Sequence, residues 1–170
     1  MDSGRHEMIG NARISARVFL LLLVTAVPGW AQEDGLSLEI DENAFVVADT
    51  PSDIGGITIR EGTTPVVVQG MLLGIVIPNA LDLEWVPGVE GQIGGSAAGK
   101  IGSGEDARRF GEGNKVFLIE VEADFEANDE LTITGLQVQN FRSVSAPSAL
   151  GFSLDGGATT SLQSDQAWRI

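Results

Sequence analysis

Asp124, Glu126, Asn128, Asp129 and Glu130 crowd oxygen-bearing side chains into one short run. Calcium takes ligands of this kind, carboxylates and amide carbonyls held close together, so the run is a candidate calcium site. Its spacing does not match the known calcium loop. The plainer reading is a hairpin connection in which Asn128 and Asp129 set the turn. Asp41, Glu42, Asn43, Asp49 and Asp53 form a second acidic group open to the same two readings. Neither group is specific enough to be assigned as a metal site, and no cofactor is assigned.

Nucleophilic chemistry has little to work with in this chain. It contains no cysteine and no tyrosine, and its one histidine, His6, lies in a segment expected to be cut away on export. That leaves no Cys/His or Ser/His/Asp system, no zinc site of the usual ligands and no imidazole base near neutral pH. Two well-placed carboxylates suffice for glycoside hydrolysis, but 24 acidic residues guarantee chance pairs, so such pairs carry little weight. The expectation is a protein that is not an enzyme, with no catalytic residue assigned.

Three binding features are weighed beside it. Trp85 and Trp168 are the tryptophans beyond the leader and would suit a platform for sugar rings. With no tyrosine and six phenylalanines in the same stretch, core or edge packing is the stronger reading. Glu105, Asp106, Arg108 and Arg109, set among glycines from Gly99 to Gly113, read as a binding loop or, more simply, as a solvated connection. Gly102-Ser103-Gly104 resembles part of a phosphate loop but lacks the following lysine and helix, and is dismissed.

The elements that must position these residues are strands. Leu36, Leu38 and Ile40 alternate with Ser37, Glu39 and Asp41, the period-two pattern of a strand with one buried face. Similar logic predicts strands at Ile57–Arg60, Val66–Val68, Met71–Ile77, Leu83–Val86, Val116–Val121, Leu131–Val138, Leu150–Leu154 and Gln166–Ile170. Val68 and Ile75 to Ile77 are placed centrally, whereas Lys115, Glu120 and Glu122 are expected to face solvent, and Pro78 ends its strand. Clusters of Gly, Asn and Asp punctuate the runs, and no helical period is long enough to trust. The expected fold is all-β, an antiparallel β-sandwich with Greek-key connections and about eight or nine strands.

Ahead of these strands, Arg5, Arg13 and Arg17 precede the apolar run Val18–Val27, and Gly29 and Ala31 suit a cut after Ala31. Residues 1–31 therefore read as a signal peptide with a cleavable helix, and 32–170 as one domain of 139 residues. The run is shorter than the ~20 residues that cross a bilayer, so no transmembrane anchor is expected after cleavage. A lipid anchor at the cut would need a cysteine. The expected domain carries 22 acidic and 7 basic residues, a balance of −15. Such a charge argues against nucleic acid as a partner and suits an exported, soluble surface that can attract divalent cations. Without cysteines, burial alone must hold the fold.

The segments ITIREGTTPVV (57–67), IVIP (75–78), LEW (83–85), GGSAAGKI (94–101), VFLIEVEADFEANDELTITGLQVQNF (116–141) and SAPSALGFSL (145–154) resemble one unit of the β-strand repeats of large bacterial surface and secreted proteins. The likeness spans 57–170 and implies an immunoglobulin-like or cohesin-like sandwich serving as an extracellular building or interaction module. It carries over no catalytic residues. No second copy is present in the sequence, so a lone unit would need other chains to build a stalk.

The resulting expectation is a secreted, acidic, non-enzymatic module, extracellular or periplasmic, acting in adhesion or in assembly of a matrix or filament. Its partner would be a protein or a second copy. Strand addition by Leu36–Ile40 or Gln166–Ile170 is one route. The alternative is a carbohydrate-binding module that meets polysaccharide through a tryptophan face.

Overall fold

β-branched and aliphatic residues at every second position can bury one face of a strand and wet the other; Ser37–Ile40, Glu130–Thr134 and Gln137–Gln139 follow this pattern, whereas the continuous apolar runs in Leu72–Val76 and Val116–Glu120 are buried on both faces. The computed structural model describes residues 35–40, 50–104, 106–111, 113–140 and 148–159, with the backbone of 162–168. The leader expected over 1–31, the acidic residues Asp41, Glu42, Asn43 and Asp49, Glu105, and the side chain of Trp168 lie outside the described residues.

The described residues form twelve strands and a single 3-10 turn at Ala98–Lys100. In order the strands are β1 (Ser37–Ile40), β2 (Ser52–Asp53), β3 (Ile57–Arg60), β4 (Leu72–Val76), β5 (Glu84–Trp85) and β6 (Gln92–Gly94). They continue with β7 (Arg108–Gly111), β8 (Val116–Glu120), β9 (Glu130–Thr134), β10 (Gln137–Gln139), β11 (Ser148–Ser153) and β12 (Leu162–Trp168). Three sheets result, ordered β1-β3-β9-β6, β2-β10-β5 and β12-β11-β4-β8-β7, and every ladder in them is antiparallel. The outermost strands β1 and β12 run alongside each other.

The all-β, antiparallel expectation is met, and the strand count is exceeded. The three additional strands, β2, β6 and β7, are two to four residues long and rich in polar residues or glycine. They lack the apolar alternation that marks a strand locally, and they exist because a neighbouring strand offers a ladder.

Other boundaries shift for identifiable reasons. Leu131–Val138 divides at Gly135, whose φ of 74° turns the chain; β9 then joins one sheet and β10 another. Val66–Val68 is no ladder strand, and Val68 is exposed rather than central. β4, by contrast, is central, paired with β11 on one side and β8 on the other. The C-terminal strand spans Leu162–Trp168, starting ahead of the expected Gln166, and lies opposite β11; Arg169 and Ile170 lie outside the described residues.

One hydrophobic cluster draws on all three sheets: Ile57, Ile59, Leu131 and Ile133 from the first, Trp85 and Val138 from the second, Leu73, Ile75, Phe117, Ile119 and Phe152 from the third. Each such side chain contributes about 1.5–3 kcal/mol on full burial. Lys115 does not face water as its charge suggests. Its Nζ donates to the Leu81 carbonyl at 2.7 Å and to the Leu83 carbonyl. Partial burial there pushes the ammonium below the ordinary lysine range, against the attraction of Glu84 and Asp82.

Candidate functional site

The acidic run expected either to bind calcium or to form a hairpin joins two different sheets. β8 pairs with β4 and β7, and β9 with β3 and β6, so the 121–129 segment is a crossover and not a hairpin. Asn128 nonetheless takes the turn conformation, with φ 63°. Left-handed backbone of this kind suits asparagine better than most residues.

Asp124, Glu126, Asp129 and Glu130 each have a protein partner. Asp129, nearly buried, accepts bonds from Ser96 Oγ at 2.8 Å, Lys100 Nζ at 2.7 Å and the Glu126 N–H at 2.7 Å. Burial alone would raise its pKa, but the bonds from Glu126, Lys100 and Ser96 and the Lys100 charge outweigh burial and hold the carboxyl below the ordinary value. The Asp129 bond, in turn, raises the Lys100 pKa. Asp124 Oδ1 accepts the Gln69 N–H at 2.7 Å, and Glu130 meets Arg60 at 2.6 Å. Glu126 is exposed and stands 3.6 Å from Lys100. The run thus braces the 96–100 segment and the 61–69 loop. Among the described residues no group of three or more acidic or histidine side chains is arranged to hold a metal ion.

Trp85 is fully buried, its Nε1 donating to the Ile75 carbonyl at 3.3 Å and its ring 6.5 Å from that of Phe117. It packs the core and presents no face to a sugar. Asp53, of the second acidic group, caps its own turn by accepting the Gly55 N–H at 2.8 Å.

Sequence reasoning passed over Glu61. It is fully buried, Oε1 accepts the Val66 and Val67 N–H groups at 2.8 and 2.6 Å, and Oε2 has no hydrogen-bond partner. This one carboxylate stands in for the missing ladder along Val66–Val67. Nothing in the local pattern signals it, because Glu61 follows a strand as any solvated residue would.

The remaining feature is a groove at the outer strands. β6 ends one sheet and β7 another, and between them Ile93, Ala98, Ile101, Gly102, Ser103 and Arg108 line an open space of about 250 Å³. The 101–107 segment is shaped by β8: Ile101 bridges Val121, the Gly102 N–H donates to Glu120, and the Glu120 N–H donates to Ala107. Ser103, Gly104 and Asp106 are accordingly exposed, and β7 pairs with β8 from Arg108 onward. Gly95, directly after β6, permits the close approach of the chain to β9; a Cβ there would overlap the Glu130 carbonyl oxygen, and its φ is 85°.

Arg108 reaches across the gap. Its Nη1 donates to the Gly91 carbonyl at 3.4 Å, its Nη2 lies 3.4 Å from Glu90, and its buried Nε has no partner. Of the predicted binding loop, Arg108 lines the groove. Exposed Arg109 instead bonds back to the Asp106 carbonyl.

The fold and groove define an all-β protein with antiparallel sheets and a cleft between two sheet edges that Arg108 lines. No known protein family, curated protein or solved structure matches the chain.

Proposed function

We propose that this chain is a secreted, non-enzymatic β-sandwich with Greek-key connections that works in adhesion or assembly at or beyond the cell surface. The observation that carries the proposal is the groove between β6 and β7, where two sheets end side by side and a poorly satisfied arginine lines the opening. Outer strands and the clefts beside them are where β proteins receive partner chains. The acidic composition and the likeness to bacterial surface-protein repeat units add support.

The terminal strands are less suited to strand addition than their alternation suggests. β1 is laddered to β3, β12 to β11, and the two flank each other. Partner binding is therefore assigned to the β6–β7 side. The carbohydrate-binding alternative loses Trp85 to the core and retains only Trp168 as a stacking residue.

Expression of the whole gene in a bacterial host, with fractionation and N-terminal sequencing, tests export: the expected product leaves the cytoplasm and begins at Gln32. An uncut chain retained in the cytoplasm overturns it. Light scattering at several concentrations then separates self-assembly from binding to another protein. Retention on insoluble polysaccharide that Trp168→Ala abolishes would favour the carbohydrate reading instead.

A further inference from the structure

We infer that the β6–β7 groove takes a carboxylate side chain on an aliphatic stem, presented by an extended segment of a partner protein, with Arg108 as its counter-ion. The inference rests on the interaction reading above and names the chemistry of that same cleft. Three observations carry it.

The first is the state of Arg108. The other described cations are bonded closely: Arg60 to Glu130 at 2.6 Å, Lys100 to Asp129 at 2.7 Å, Lys115 to Leu81 at 2.7 Å, and Arg109 to the Asp106 carbonyl. Arg108 has two contacts, both at 3.4 Å, and a buried N–H with no acceptor. A guanidinium offers five donors in a planar fork that matches a carboxylate. Most of that capacity is unused, and a small rotation toward an incoming carboxylate would exchange two long contacts for two short, charge-assisted bonds.

The second is the lining. Ile93, Ala98 and Ile101 supply apolar wall, and Ser103 adds a hydroxyl-bearing residue to the same lining as Arg108. That combination fits methylene groups ending in an acid. At about 250 Å³ the space lies below the ~300–1,000 Å³ of pockets that enclose whole small-molecule ligands, and suits one side chain.

The third is position. The groove lies between the outermost strands of two sheets, so a chain running along either edge can drop alternate side chains into it. The net charge of −14 repels acidic partners at a distance, but at physiological salt that repulsion fades beyond about 8 Å. Local pairing then decides. Glu90 is the built-in competitor, sharing Arg108 from within the chain.

The test titrates the full chain with acetyl-Val-Glu-Val-amide, its Val-Gln-Val counterpart and 4-methylpentanoate, following the amide signals of Ile93, Ala98, Gly102 and Ser103. The acidic peptide is expected to shift these amides and to bind about tenfold more tightly than the Gln peptide, since charge-assisted pairing is at stake. Glu90→Gln is expected to tighten the acidic peptide severalfold. Arg108→Gln is expected to abolish the preference, and Ala98→Leu, which keeps Arg108 but fills the groove, to block binding. Equal binding of the two peptides would remove the carboxylate chemistry while leaving the groove an interaction surface. Absence of shifts with every probe, or no effect of Glu90→Gln, would also overturn the inference. So would binding of 4-methylpentanoate as tightly as the peptide, which would make the ligand a free acid and not a protein segment.

Discussion

Lys100 Nζ lies 2.7 Å from Asp129 Oδ2, and this contact ties the single 3-10 turn to the crossover between β8 and β9. The two residues are 29 positions apart in sequence. Ser96 adds a second link by donating to Asp129 Oδ1 and accepting the Glu130 N–H at 2.9 Å. The crossover and the wall of the groove are thus held by one carboxylate.

Acid should release that tie. Because the Asp129 carboxyl is held below its ordinary value of 3.8, its contribution is present above that value and lost as pH falls through the lower folded value. Urea unfolding followed from pH 6 to pH 2 should show Asp129→Asn with a flatter acid limb than the wild type. Asp129→Ala, which leaves the Glu126 N–H and Ser96 hydroxyl without their acceptor, should lose about 2 kcal/mol at neutral pH. A variant with the wild-type acid limb would remove Asp129 from this role.

Asp155 offers a sharper titration. Ser153 and Thr159 hydroxyls and the Thr159 N–H donate to it and draw its pKa down to about 2. Carboxyl NMR should place its midpoint near that value, and Ser153→Ala should move it back toward 3.8. An unchanged midpoint would mean the Ser153 bond does not form in solution.

Glu61 should matter far more than an ordinary glutamate. Glu61→Ala strands the Val66 and Val67 N–H groups and is expected to cost about 2–4 kcal/mol. Glu61→Gln keeps an acceptor at Oε1 and should cost less. Hydrogen exchange at Val66 and Val67 is the local readout: fast exchange in the Ala variant and protection in the Gln variant are expected.

Trp85→Ala should destabilise by about 3–5 kcal/mol, the usual range for a large aromatic removed from a core. Trp85→Phe should cost less, losing the bond to Ile75 and part of the contact with Phe117. Denaturation midpoints check both, and an Ala variant as stable as the wild type would contradict the burial.

Much of the sheet is legible locally. β3 falls on the predicted residues Ile57–Arg60, where Ile57 and Ile59 alternate with Thr58 and Arg60, and β8 on the Val116–Val121 run less one residue, where a short continuous apolar run marks a strand buried on both faces. β6 and β7 are not legible: Gln92–Gly94 and Arg108–Gly111 are polar or glycine-bearing, and pair because β9 and β8 lie beside them. The groove was only half visible. Arg108 stood out as a charge among glycines, while Ile93 and Ala98 gave no sign of meeting it.

By itself the sequence determined that this protein is all-β and antiparallel, built from short strands, and held by burial without disulfides. Periodicity, turn residues and the absence of cysteine are local properties and can be read one segment at a time. Only the tertiary structure decided that Leu131–Val138 belongs to two sheets, that Trp85 is core, that Glu61 replaces a ladder and that Arg108 lines a cleft. Each of those depends on which distant segments become neighbours, and that choice is made by the packing of the whole core, where no single segment holds the information.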